Sequence, residues 1–77
     1  MARSLSPDPA LGHALRRFRE ARDLSQESVS HAADITLGAY GRIERCEVAP
    51  AWPTVRAIAR GLGITMQELG AAVDREG

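Results

Sequence analysis

Five helix-initiating signals punctuate this chain, and they constrain its fold more than any other feature. Asp8 stands before Pro9, which pairs a carboxylate able to accept the first free amides with a proline whose missing N–H costs nothing at the first helical position. Ser25 follows Leu24, Thr36 follows Ile35, Pro53 opens a fourth stretch, and Thr65-Met66-Gln67-Glu68 has the capping-box spacing. Behind each signal the apolar residues recur every three or four positions, as a one-sided helix requires. Leu11, Leu15, Phe18 and Ala21 place a first helix at 9–22. Val29, Ala32 and Ala33 place a second at 26–33, and a third follows at 37–45. Val55, Ile58, Ala59 and Leu62 belong to a fourth that Gly63 closes, and the fifth spans 65–74. Between the second and third, Asp34 tolerates a positive φ, Ile35 is an apolar plug and Thr36 caps the next helix.

Composition agrees with short, closely packed helices. The chain has 77 residues, 44% of them apolar, but one Phe, one Tyr and one Trp. Alanine and aliphatic side chains must therefore fill the interior, and a chain this short, burying only about 60% of its unfolded surface, supports one core. No strand alternation is visible. No run is long and apolar enough to span a membrane, and the start MARSLSPDPA lacks the apolar stretch of a secretory signal, so the expected location is cytoplasmic, with no membrane partner. A single cysteine, Cys46, excludes an internal disulfide, and with His13 and His31 it supplies too few ligands for a structural zinc. Neither metal nor cofactor is expected. No nucleophile, base or paired carboxylate forms a catalytic set, so an enzyme is not expected either.

Charge is informative through its distribution. Ten basic residues, all arginine, balance ten acidic ones. Yet Arg3, Arg16, Arg17, Arg19 and Arg22 face only Asp8 and Glu20 in the first 22 residues, so the amino-terminal third is locally basic.

The stretches Leu24-Ser25-Gln26-Glu27, Ala33-Asp34-Ile35-Thr36 and Arg42-Ile43-Glu44-Arg45, then Pro50 and Gly61 through Leu69, together resemble the Cro/repressor-like helix-turn-helix family, also called the xenobiotic-response-element family. The resemblance covers residues 11–70 and is spread over four helices and three links. It implies an all-α, five-helix, lambda-repressor-like DNA-binding domain at 9–74, with a flexible arm at 1–8 and a tail at 75–77. The second and third helices are its helix-turn-helix. In that geometry the first helix of the pair crosses the DNA backbone and the second enters the major groove. Double-stranded DNA is then the expected partner.

The resemblance assigns roles residue by residue. Gln26, at the start of the second helix beside free backbone amides, is expected to clamp a phosphate. Arg19 and Glu44 match an ion pair between the first and third helices, an architectural role. Thr36, Leu37, Gly38, Ala39, Gly41, Arg42 and Arg45 match positions that face DNA, yet Leu37, Gly38, Ala39 and Gly41 are bare where relatives carry polar side chains. Leu37 and Ala39 can touch thymine methyls, Arg42 can pair with guanine, and DNA shape is left to carry the rest. Cys46 stands where relatives place glycine. A residue with a Cβ resists the left-handed conformation, so the third helix is expected to end differently. With Glu47, Val48 and Ala49 behind it, this loop should make few phosphate contacts.

Trp52 matches a leucine that plugs the family's core, which makes burial the expectation. The other reading places Trp52, with Met66, Leu69 and Val73, on a homodimer patch continuous with the apolar loop 48–52. Two functions stand against each other: a homodimeric, sequence-specific transcriptional regulator, and a protein-interaction module or antitoxin-like adaptor with a protein partner and weak DNA binding. The second draws support from the neutral charge and the bare third helix.

Overall fold

The computed structural model describes residues 8–76, and across them the chain forms five helices: α1 (Pro9–Ala21), α2 (Gln26–Ala32), α3 (Leu37–Glu44), α4 (Trp52–Leu62) and α5 (Met66–Glu76). No strand occurs among the described residues. The arm expected at 1–8 lies outside them apart from Asp8, as do Arg3 and Gly77.

Side chains start four of the helices. Asp8 accepts a hydrogen bond from the Ala10 amide, Ser25 from the Ser28 amide and Thr36 from the Ala39 amide, each at 3.0 Å. At α5 the capping box is reciprocal, with the Glu68 amide donating to Thr65 Oγ1 at 3.0 Å and the Thr65 amide to Glu68 Oε1 at 2.8 Å. The α4 start is different. Its N-cap is Ala51, which offers no side-chain acceptor, and the helix begins at Trp52 with Pro53 in its first turn.

Four helix ends share one construction, in which a residue at positive φ turns the chain and two amides cap two otherwise orphaned carbonyls. After α1, Asp23 (φ 57°) donates to the Glu20 carbonyl at 3.0 Å and Leu24 to that of Arg19 at 3.1 Å. Asp34 (φ 59°) and Ile35 do the same after α2, and Gly63 (φ 74°) and Ile64 after α4. Cys46 corrects the sequence-based expectation. It adopts φ 64°, donates to the Ile43 carbonyl at 3.1 Å, and is followed by Glu47 donating to Arg42 at 2.9 Å. Two satisfied carbonyls offset the Cβ penalty. The thiol also has a place to go, since a Cβ on Gly12 would lie 2.6 Å from Cys46 Sγ and 2.8 Å from the Glu44 carbonyl. Gly12 is thus a point of close approach between α1 and the end of α3.

Burial follows the apolar stripes. α1 packs against α5 and α3, α2 against α3 and α4, and α4 against α5. Leu15, Val29, Tyr40, Ile58 and Leu69 are the largest fully enclosed side chains. Two expectations change here. Trp52 is 64% exposed, because it stands at the first position of α4, ahead of the stripe Val55, Ile58, Ala59 and Leu62 that faces the core. Leu69, assigned to a dimer patch, is instead a core residue, on the inward side of α5 with Ala72. The fifth helix also continues to Glu76, whose carboxylate meets Arg17 at 2.9 Å and ties it back to α1.

Candidate nucleic-acid interface

α2 and α3 are joined by Ala33, Asp34, Ile35 and Thr36. The left-handed Asp34 reverses the chain, Ile35 packs half-buried against the core, and Thr36 starts α3. The angle between the two helices is therefore set by one backbone turn, one apolar plug and one hydroxyl cap.

Beneath this pair lies a buried polar cluster centred on Glu44, whose side chain is 3% exposed. Arg19 approaches it as a fork, Nε to Oε2 at 2.6 Å and Nη2 to Oε1 at 3.1 Å, and gives a third donor to the Leu24 carbonyl at 2.8 Å. The Tyr40 hydroxyl donates to Oε2 at 2.6 Å and Gln26 Nε2 to Oε1 at 2.9 Å. Burial alone would push the Glu44 carboxyl up, but hydrogen bonds from Arg19, Tyr40 and Gln26 outweigh it and hold the carboxyl below its usual range. Burial, with the hydrogen bond to Glu44, raises the Tyr40 phenol well above its ordinary value. The hydrogen bond to Glu44 keeps Arg19 charged still more firmly. One carboxylate thus joins α1, α2 and α3, and no buried side-chain nitrogen or oxygen among the described residues lacks a partner.

Around this cluster the residues assigned to DNA separate into three groups. Leu37 is 49% exposed, Gly38 faces open space, and Arg42 is exposed with no ion pair among the described residues. Arg45 is exposed and paired with Glu47, while the Thr36 hydroxyl is occupied by the Ala39 amide and Ala39 itself is half-buried. Gly41 is the exception. It is buried, with Arg45 Nη1 only 2.9 Å and Gln26 Oε1 3.7 Å from where its Cβ would stand, so it is a seat for Arg45 and not an exposed reading position.

Sequence reasoning paired Arg19 with Glu44 but missed that Tyr40 and Gln26 complete the set. The Tyr40 and Glu44 positions, four apart on one helix, carried a usable signal, because such residues share a helical face. Gln26, expected at a phosphate, spends one amide proton on Glu44. Of the residues assigned to a dimer patch, Trp52 is exposed, Met66 and Val73 are half-buried against the core, and Leu69 is inside it.

This architecture is that of a helix-turn-helix domain, and the chain belongs to that family, whose model matches residues 10–72. It is similar to the control protein C.MunI of Mycoplasma sp, with 35% identity over 66 residues that cover 84% of this chain and 89% of that one. The restriction-modification controller protein C.AhdI of Aeromonas hydrophila superposes with a TM-score of 0.76 and 28% identity, over 79% of this chain and 92% of that one. The controller protein C.Esp1396I, solved as a tetramer with its natural 35 base-pair operator, shares the fold with a TM-score of 0.84 at 15% identity, over 88% and 90% of the two chains.

Proposed function

We propose that this protein is a sequence-specific DNA-binding transcriptional regulator that works as a homodimer, with α3 in the major groove. The observation that carries the reading is the outer face of α3. Leu37, Gly38 and Arg42 lie exposed there, on a helix whose orientation is locked from beneath by the Glu44 cluster. Rigid support for a bare, close-approaching surface with one long donor is what groove reading needs. Kinship with C.MunI and C.AhdI, a control protein and a restriction-modification controller, supports the regulatory role. The operator-bound assembly of C.Esp1396I supports DNA as the partner of this fold and oligomers as its working form. The role is that of a regulator and not an enzyme, and it places the protein with the DNA, in the cytoplasm. Trp52, 64% exposed, with Val48 beside it in the sequence of the apolar loop, supports the dimer face, completed by the outer edges of Met66 and Val73.

Selection of bound sequences from random DNA, followed by binding of Arg42→Ala to the selected and a scrambled duplex, tests the reading. Loss on the selected duplex alone, by about 1 to 3 kcal/mol, identifies Arg42 as a base reader. Equal loss on both makes it a phosphate contact. No enrichment of any sequence overturns the regulator in favour of the adaptor. Sedimentation of the wild type and Trp52→Ser tests the dimer, which a monomeric wild type on DNA bearing two half-sites would refute.

A further inference from the structure

We propose that Glu47 is an in-chain substitute for a DNA phosphate, holding the Arg45 guanidinium until a phosphate displaces it; the proposal rests on the DNA-binding reading above. A depression of about 420 Å³ lies beside the start of α2, lined by His13, Arg16, Arg19, Gln26, Glu44, Arg45 and Cys46. Its three arginines suit an anion, yet each is already matched to a carboxylate, one of them the Glu44 of its own wall. Arg19 is fixed on Glu44 inside the fold, Arg16 reaches Glu20 at 3.1 Å, and Arg45 Nε reaches Glu47 Oε2 at 2.8 Å. The first of these pairs is structural. The other two are open to solvent, with side-chain exposures of 63% and 55% for Arg16 and Glu20, and 57% and 52% for Arg45 and Glu47.

The Arg45–Glu47 contact follows from the end of α3. The left-handed turn at Cys46 and the bond from the Glu47 amide to the Arg42 carbonyl bring two side chains that are two residues apart onto the same side of the chain. The guanidinium is held over Gly41, at the rim of the depression and close to Gln26, with its Nε donor taken by Glu47. Exposed pairs of this kind contribute little to folding, so opening this one leaves the domain intact. A DNA phosphodiester offers the guanidinium what the carboxylate offers, one negative charge shared over two oxygens, and adds the field of the neighbouring phosphates, so it can take the carboxylate's place on Arg45.

The exchange has a signature in salt dependence. A guanidinium that meets a phosphate releases condensed cations from the DNA, but a carboxylate set free at the same moment takes up cations, so the net release is smaller. Removing the carboxylate should abolish that uptake, steepening the slope of log K against log salt by up to about 0.9. The gain from Glu47→Gln should then be about threefold larger at ~50 mM than at ~200 mM salt. Because phosphates are the same in every sequence, random and selected duplexes should gain alike.

Fluorescence anisotropy of both duplexes across that salt range, with wild type, Glu47→Gln, Arg45→Gln and the double variant, tests this. Expected are tighter binding by Glu47→Gln on both duplexes, weaker binding by Arg45→Gln, and no effect of Glu47→Gln when Arg45 is already glutamine. Equal gain with and without Arg45 would overturn the proposal, because Glu47 would then act only by general repulsion. No change on Glu47→Gln while the wild type binds would overturn it too. Thermal melts establish that the variants are folded. Should the folded wild type bind neither duplex at any salt, the DNA-binding reading itself fails, an outcome distinct from the other two.

Discussion

Replacing Glu44 by alanine should unfold this protein more readily and should not act as a selective loss of recognition. The substitution removes an acceptor that receives four hydrogen bonds, two from Arg19, one from Tyr40 and one from Gln26. Arg19, with its side chain 14% exposed, loses its counter-charge and keeps only the Leu24 carbonyl, while the fully buried Tyr40 hydroxyl loses its acceptor. Breaking one side of a buried pair costs about 3 to 5 kcal/mol, and an orphaned buried hydroxyl about 1 to 3 more, although the two overlap because both donors share one carboxylate. Arg19 lies near the surface and can recruit water, which sets the expected loss near the lower figure, about 3 to 4 kcal/mol. A domain of this length has roughly 4 to 12 kcal/mol in total, so the melting temperature should fall by about 12 °C or more. Circular dichroism melts alongside DNA-binding titrations read both quantities. A variant with the wild-type melting temperature and abolished binding would refute the argument and put Glu44 at the DNA.

Other consequences can be checked by the same melts. Glu44 has its pKa lowered by folding, so its contribution is present above the unfolded carboxylate value and is lost as pH falls through the lower folded one. Stability should therefore drop in the acid range, and the Glu44→Gln variant should show a flatter acid limb. Gly12→Ala would push a methyl to 2.8 Å from the Glu44 carbonyl and 2.9 Å from that of Ile43, forcing α1 and α3 apart at a cost of about 1 to 3 kcal/mol. Cys46→Gly relieves a Cβ at φ 64° and should stabilise the fold by up to about 1 kcal/mol, whereas Cys46→Val should destabilise it, since β-branching resists that conformation.

The elements were legible because their signals are local. Asp8, Ser25, Thr36 and the Thr65 and Glu68 box act within three residues of themselves, and each caps the helix that the sequence assigned to it. What escaped depends on pairs far apart in the chain. Gly12 has meaning only beside Cys46 and the last carbonyls of α3, and Gly41 only beneath Arg45 and Gln26. Leu69 illustrates a different limit. Met66, Leu69 and Val73 lie on one helical face, and periodicity alone does not say whether that face meets its own core or another chain. The structure turns Leu69 inward and leaves Met66 and Val73 at the margin. Cys46 escaped because glycine preference is a matter of about 1 kcal/mol, which two capped carbonyls can offset.

The four similar helix ends differ in the residue that follows the turn. After α1, α2 and α4 it is Leu24, Ile35 or Ile64, and each settles against the core; after α3 it is Glu47, which lies in solvent. The segment from Val48 to Ala51 therefore runs without an apolar anchor at its head, and it leads into α4, the one helix start whose cap residue offers no side-chain acceptor. In hydrogen-exchange terms, the least protected interior stretch should be this seam, with the first turn of α4 opening before the rest of the domain. Trp52 stands in that turn. The ring proposed to meet a second copy thus stands in the turn expected to open first, which would let the spacing of two reading heads adapt to the DNA while the helix-turn-helix itself keeps its shape.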